Sequence, residues 1–229
     1  MNPLVSVLLP VFNDEKNIEN SVYSILNQSY QNLELLVIDD GSTDKTLSIL
    51  KNIKSKKLKL FVNSENYGLT KSLNKLILES EGELIARQDS DDISKLMRIE
   101  KQVNFLTNNN LDAVGSRAII KNRNKKIPYI SYYLPIRILA LYKNPLIHGT
   151  LLIKKSVLKS VNNYDEDYKF AQDYKLLVDL LNSRKKIKIF EEVLYVLNTK
   201  NNISSKFKKE QNYYFKLARK SYKFFLNFN

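Results

Sequence analysis

The chain has no cysteine, no tryptophan, a single histidine and only five glycines in 229 residues. Without cysteine it can form no disulfide, thiolate metal site or cysteine nucleophile, which suits a reducing compartment and makes the cytoplasm the default expectation. One histidine, His148, supplies no histidine ligand cluster. The glycines (Gly41, Gly68, Gly82, Gly115 and Gly149) never form Gly-x-Gly, and no Gly-x-x-x-x-Gly-Lys occurs, so dinucleotide and Walker-type phosphate cradles are unsupported. No run approaches the roughly 20 apolar residues that span a bilayer. The first apolar run, Leu4 to Leu9, has no basic lead-in and is stopped by Pro10, so it reads as a strand and not as a signal peptide.

Acidic residues are also few relative to basic ones: 24 Asp and Glu against 37 Lys and Arg give a formal charge of +13. Such an excess attracts polyanions, whether nucleic acid, anionic lipid or phosphorylated substrate, and does not choose among them. A composition rich in lysine and asparagine accounts for part of it. At 43% hydrophobic residues the chain has the means to bury an ordinary core.

Leu4–Leu9 and Leu33–Ile38 are nearly continuous apolar runs, as expected of strands covered on both faces. Between them Ile18, Val22, Ile25 and Leu26 recur at helical spacing, with Asn13 and Asp14 as capping candidates. The unit repeats: a strand at Leu58–Val62, a helix face of Leu69, Leu73, Leu76 and Ile77, and a strand at Glu83–Ala86. Alternation of this kind implies a mainly parallel, Rossmann-like α/β sheet flanked by helices. A helix carrying Leu96, Ile99, Val103 and Leu106 follows. Short strands are expected at Ala113–Ile120, Leu151–Ile153, Ile187–Phe190 and Leu194–Leu197, with a helix from about Asp173 to Leu181.

Two acidic groups fall at carboxyl ends of expected strands, where open α/β sheets collect ligands. Asp39-Asp40-Gly41 is either a tight turn or a loop whose carboxylates accept hydrogen bonds from a base or a ribose. Asp89-Ser90-Asp91-Asp92 is either a polar turn, with Asp92 or Ser94 capping the next helix, or a cation site. Three carboxylates in four residues repel one another, and Mg or Mn would relieve that repulsion.

Val5-Ser6-Val7-Leu8-Leu9-Pro10-Val11-Phe12-Asn13, Ile25-Leu26-Asn27-Gln28-Ser29-Tyr30 and Val37-Ile38-Asp39-Asp40-Gly41-Ser42-Thr43-Asp44 follow one another in an order and spacing that resembles the opening of family 2 glycosyltransferases of the GT-A fold. The likeness continues through Asn66-Tyr67-Gly68-Leu69 and Gly82 to Asp92, with Arg98 and Gln102 beyond, and it is nearest the subgroup that builds bacterial surface polysaccharides. The resemblance implies a donor site of Pro10, Asp39, Asp40, Arg87, Asp89 and Asp91, in which Asp40 contacts the base and Asp39 supports its loop. It also implies that Asp89 and Asp91 form a DxD-type site for Mg or Mn, Asp91 being the more direct ligand. More weakly, Leu146-Ile147-His148-Gly149-Thr150 and Phe170 to Leu177 match, which maps a catalytic base onto Asp173 and sets His148, with Asp92, near the active site. An ordinary helix-cap role for Asp173 stays open. Gln172 stands where many relatives have glutamate, and Asn162-Asn163-Tyr164 replaces Gly-Gly-Tyr; asparagine tolerates left-handed turns, so the turn is expected to survive.

The expected organisation is one transferase domain over 1–200, comprising a nucleotide-sugar-binding half (1–110) and an acceptor-side half (111–200), followed by a basic amphipathic C-terminal helix within 201–229. From Lys206 to Phe228, Lys209, Lys216, Lys220 and Lys223 share one face, and Phe207, Tyr214, Ala218 and Phe225 another. That helix either packs on the domain or rests on anionic membrane at the inner face of the cell membrane. With no Gln-x-x-Arg-Trp motif, transfer of a single sugar from a nucleotide-sugar donor, with uridine diphosphate the expected carrier, to a glycan or lipid-linked acceptor is expected in place of polymerisation. The rival functions are a sugar-phosphate nucleotidyltransferase and a noncatalytic nucleic-acid-binding protein; the former usually has a glycine-rich phosphate loop, and no nucleic-acid motif supports the latter.

Overall fold

The computed structural model describes residues 2–121, 123, 125–199 and 207–223. The first half alternates strand and helix: β1 (Val5–Val11), α1 (Ile18–Leu26), β2 (Leu33–Asp39), α2 (Thr46–Asn52), β3 (Leu58–Val62), α3 (Leu69–Glu79) and β4 (Leu84–Arg87). Then come β5 (Ile93–Ser94), α4 (Arg98–Asn108), β6 (Ala113–Ile120), β7 (Lys125–Ile127), α5 (Ile136–Ala140), β8 (Leu152–Lys154), α6 (Lys155–Ser160), α7 (Gln172–Asn182), β9 (Ile187–Leu197) and α8 (Lys208–Lys220).

All the described strands join one sheet in the order β3-β2-β1-β4-β8-β6-β9-β5, with β7 paired to β6. The β3-β2-β1-β4 part is parallel, as the alternation implies. The second half extends the same sheet and makes it mixed: β8 runs antiparallel to β4 and β6, and β9 runs parallel to β6. The two short runs expected at 187–190 and 194–197 are one strand, because β9 follows β6 through register shifts around Ser116 and Arg117.

Every residue of β1 and β2 is buried, and alternate side chains serve opposite faces. Leu8, Leu36 and Ile38 pack with α3 residues Leu73, Leu76 and Ile77 and with α7. Val7, Leu9, Leu35 and Val37 pack with Ile18, Val22 and Ile25 of α1 and Ile99, Val103 and Leu106 of α4. Continuous apolar runs were required because helices cover both sides. Each such leucine, fully buried, contributes about 1.5–3 kcal/mol.

Three capping expectations are corrected. Helix α1 begins after Asn17 without a side-chain cap; Asn13, at φ 51°, instead accepts a hydrogen bond from the Thr43 N–H, and Asp14 from Asn17 and Ser90. Asp92 and Ser94 cap nothing, since α4 starts at Arg98 and Ser94 lies in β5. At α7 the cap position is Ala171, held at φ 52°, which puts Asp173 inside the first turn.

Helix α8 packs on α7: Phe215 stacks on Tyr174 at 4.1 Å and Ala218 is buried, while Lys209, Lys216, Lys220 and Lys223 face outward. Lys206 and Phe225 lie outside the described residues. Among the described residues no helix is long and apolar enough to cross a membrane.

Candidate active site

Strand β1 has β2 on one side and β4 on the other, so chain direction reverses its progress across the sheet at β1. Beyond the pairing of Leu8 with Arg87, β1 and β4 part. Pro10 lies in that opening, with Asp39 at the end of β2 and Asp89 just past the end of β4. A crevice at such a switch point is where these sheets take ligands.

Two aspartates adjacent in sequence have different occupations. Asp40 is buried and accepts hydrogen bonds from Asn63 Nδ2 (2.8 Å), Tyr67 N (3.1 Å) and Gly68 N (2.9 Å), which ties the loop after β3 to the end of β2. Asp39 accepts one from Ser42 N on Oδ2, and its Oδ1 is buried without a hydrogen-bond partner. Gly41, at φ 74°, turns the chain here, and a Cβ on it would come within 2.6 Å of the Glu65 backbone. A side chain at that position would push the two loops apart.

On the β4 side, Arg87 is enclosed and pairs with Asp89 at 2.7 Å while donating to the Leu8 carbonyl. Its Nε is buried and unpartnered. Asp91 is partly buried, and no described side chain donates a hydrogen bond to it. Burial, reinforced by the charges of Asp89 and Asp14, pushes its carboxyl up to about 6. A groove of about 440 Å³ opens beside it, lined by Asn20, Tyr23, Ser24, Ile93 and Lys121 among others. Asp92 points inward: its Oδ1 accepts from Asn198 N at 2.6 Å, and burial with the charges of Asp89 and Asp91 raises its carboxyl far above the carboxylate range. Asp92 therefore anchors the turn and does not face the crevice.

The turn is held from below. Tyr195 Oη accepts the Asp89 N–H at 3.1 Å. Gln88 Nε2 donates to the carbonyls of Asp89 and Asp92, and its Oε1 accepts from Ser94 and Arg98. Arg98, fully buried, also donates to Ser94 Oγ, Gln102 Oε1 and the Arg87 carbonyl, and lies over the Tyr195 ring at 5.1 Å. Gln102 continues the chain to the Thr150 carbonyl. Burial lowers the Arg98 guanidinium to about 10, leaving it charged. A cation enclosed without a carboxylate in contact is sustained by five hydrogen-bonding groups or faces, and it fixes where the acidic turn sits.

Elements from the second half of the chain close the site. A Cβ on Gly149 would stand 2.9 Å from Asp89 Oδ2, so this loop touches the acidic cluster. His148 Nε2 and the Tyr164 hydroxyl are 2.7 Å apart. Burial, and then Arg87, holds the imidazole well below its usual range, hence neutral. Tyr164 is delivered by Asn162 and Asn163, both at φ near 60°, the conformation the Gly-Gly pair would adopt. Asp173 Oδ2 accepts from Asn144 Nδ2 at 2.7 Å. Burial raises the Asp173 carboxyl; hydrogen bonds from Tyr174 N–H and Asn144 oppose the rise, and the charge of Asp89 adds to it. Asp173, Tyr164, Arg87 and Asp89 therefore share one electrostatic neighbourhood.

The structure thus gathers Pro10, Asp39, Asp89, Asp91, His148 and Asp173 around the carboxyl ends of the strands, turns Asp92 inward and commits Asp40 to its loop. Sequence reading missed Asp14, Asn144, Tyr164 and Tyr195 as parts of the site; only Tyr164 carried a signal, in the turn that precedes it. Among the described residues no three His, Cys, Asp or Glu side chains are grouped to hold a metal ion. Asp91 and Asp89 nevertheless fit a hard cation that takes one or two carboxylates and completes its shell from phosphate oxygens. The mutual repulsion that raises Asp91 is the property such a cation would relieve.

Residues 6–161 match the profile of Glycosyl transferase family 2. An uncharacterized glycosyltransferase of Haemophilus influenzae is 36% identical over 75% of this chain and 71% of its own length. The O-antigen biosynthesis glycosyltransferase WbnJ of Escherichia coli is 31% identical over 78% of the chain and 72% of its own. A second H. influenzae glycosyltransferase, 37% identical, is spanned over only 58% of its length. Among solved structures, S. aureus TarS with UDP superposes at TM-score 0.73, 23% identity, covering 85% of this chain and 60% of that one. The mannosyltransferase PcManGT from Pyrobaculum calidifontis, with GDP-Man and Mn2+, superposes at 0.75 with 21% identity, covering 92% and 61%. By profile, relatives and superposition the chain belongs to glycosyl transferase family 2 and has the GT-A fold.

Proposed function

We propose that this protein performs a single inverting displacement, moving one sugar from a nucleoside diphosphate sugar, with uridine diphosphate the expected carrier, to a glycan or lipid-linked acceptor of cell-surface polysaccharide. The observation that carries this reading is the placement of Asp39, with its unpartnered Oδ1, at the end of β2 and of the Asp89–Asp91 pair past the end of β4, with Asp173 within electrostatic reach of Asp89. The neighbours solved with UDP, UDP-GlcNAc and GDP-Man support the donor class, and the O-antigen transferase among the relatives supports the setting.

Asp39 Oδ1 accepts an N–H of the donor base, a hydrogen bond that nothing within the described chain supplies. This moves the base contact from Asp40, whose oxygens already order Asn63, Tyr67 and Gly68. Asp91, with Asp89, would hold Mg or Mn, which when bound offsets the negative charge that grows on the departing diphosphate. Arg87 holds Asp89 in place from beneath. Asp173 takes the proton from the acceptor hydroxyl as that oxygen attacks, with Asn144 fixing one carboxylate oxygen. Neutral His148, bonded to Tyr164, walls the sugar space without a charge that would compete for the diphosphate.

The test is calorimetry of UDP with Mn, alongside an assay of UDP release from UDP-sugars in the presence of glycan acceptors. Metal-dependent UDP binding that fails in Asp91→Ala, and transfer that fails in Asp173→Ala with binding retained, support the reading. Pyrophosphate release from UTP and sugar phosphate would give the site to nucleotidyl transfer instead.

A further inference from the structure

The longest stretch without acid runs from Ala113 to Tyr164, 52 residues with ten Lys and Arg and no Asp or Glu, so it holds most of the net +13. Inside it, residues 129–142 expose Tyr133 (80%), Tyr142 (74%), Tyr129 (67%), Leu134 (50%) and Ile138 (42%). Helix α5 lies within this segment: its Leu139 and Ala140 enter the core, while Ile138 on the helix and Leu134 and Tyr142 on either side of it are exposed. Lys125 and Lys126 on β7 and Lys143 after α5 are exposed at the borders. The end of α8 adds to this border, since Tyr222 Oη donates to the Arg137 carbonyl and brings Arg219, Lys220 and Lys223 alongside.

Lone exposed apolar residues need no explanation, but a tyrosine-rich patch bordered by lysines, with no carboxylate of its own and Glu191 the carboxylate whose charge reaches Tyr132, has the composition of a surface lying at a lipid–water boundary. Tyrosine places its ring in the headgroup layer, and lysine gains energy from anionic lipid. Helix α8 is the weaker candidate for this role, because much of its apolar face is used against α7. The exposed patch also borders the chemistry: Asn144, the residue after Lys143, donates to Asp173.

We propose that residues 125–143 form a docking surface for an anionic phospholipid bilayer, which seats the acceptor side of the crevice against the membrane. That a lipid-linked acceptor is then presented to Asp173 rests on the function proposed above; the docking itself does not.

Co-sedimentation of the full chain with phosphatidylcholine vesicles, with and without phosphatidylglycerol, tests it at low and at physiological salt, while UDP calorimetry reads the donor site separately. Binding is expected only with phosphatidylglycerol. The triple variant Tyr133→Ser, Ile138→Ser, Tyr142→Ser should abolish the part that survives physiological salt. Lys125→Gln and Lys126→Gln should each weaken binding about fivefold, the equivalent of about 1 kcal/mol, with circular dichroism and UDP binding unchanged. No binding by the wild type, or equal binding by wild type and both sets of variants, overturns the proposal. A wild-type dimer that the triple variant dissociates would assign the face to a second copy of the chain and also overturn it.

Discussion

Replacing Asp39 or Asp40 by asparagine separates recognition from architecture at two adjacent positions. In Asp39→Asn the new amide must satisfy the Ser42 N–H with its oxygen, so its NH2 group occupies the place of Oδ1 and meets the base N–H donor to donor. Losing a charge-assisted hydrogen bond of this kind costs about 2–3 kcal/mol, or about 30- to 150-fold in UDP affinity. Stability should change little, because Oδ1 has no partner in the unliganded fold. In Asp40→Asn the reverse holds. Three donors, from Asn63, Tyr67 and Gly68, converge on two oxygens, and an NH2 group must face at least one of them. A cost of about 1–3 kcal/mol corresponds to a fall in Tm of about 2–12 °C for a chain of this size. Calorimetry with UDP and Mn reads the first effect, and differential scanning fluorimetry reads the second. Wild-type UDP affinity in Asp39→Asn, or lost affinity with wild-type Tm in Asp40→Asn, would refute the assignment.

Further outcomes follow from the rest of the site. A Cβ at Gly149 would collide with the buried Tyr195 hydroxyl as well as with Asp89, so Gly149→Ala should displace both, lower the transfer rate tenfold or more, about 1.4 kcal/mol, and lower Tm; steady-state kinetics at saturating donor and thermal melts check it. Because burial raises Asp173, the acid limb of the pH–rate profile should lie above the ordinary carboxylate range of about 4. The same shift has a stability sign: a carboxyl raised in the folded state costs stability once pH exceeds its unfolded pKa. Asp173→Asn should therefore unfold at a higher temperature than wild type near pH 8, and the difference should vanish below about pH 4. Tyr164→Phe removes the hydroxyl from His148 Nε2 and leaves a buried imidazole nitrogen unpaired, a loss of about 1–3 kcal/mol that thermal melts would report.

Alternating apolar runs and helical spacing were enough to read the parallel half of the sheet, because period is a local property: Leu8 and Leu9 face opposite layers whatever the rest of the chain does. The motif order likewise singles out Asp39, Asp89, Asp91 and Asp173 as candidates. What local pattern could not decide was which oxygen is free. Asp39 and Asp40 are the same residue type at neighbouring positions, and only the loop at 63–68, brought across by β3, consumes one and leaves the other. Asp92 has the same chemistry as Asp91, yet Asn198, just past the end of β9 and more than a hundred residues away, reaches it and turns it into an anchor. Asn144 and Tyr195 carried no sequence signal, since each acts through a partner distant in the chain. The layers and the acidic inventory depend on local period and composition and are legible along the chain; which acids face the crevice depends on which distant donors reach them first, and that is a property of the folded molecule alone.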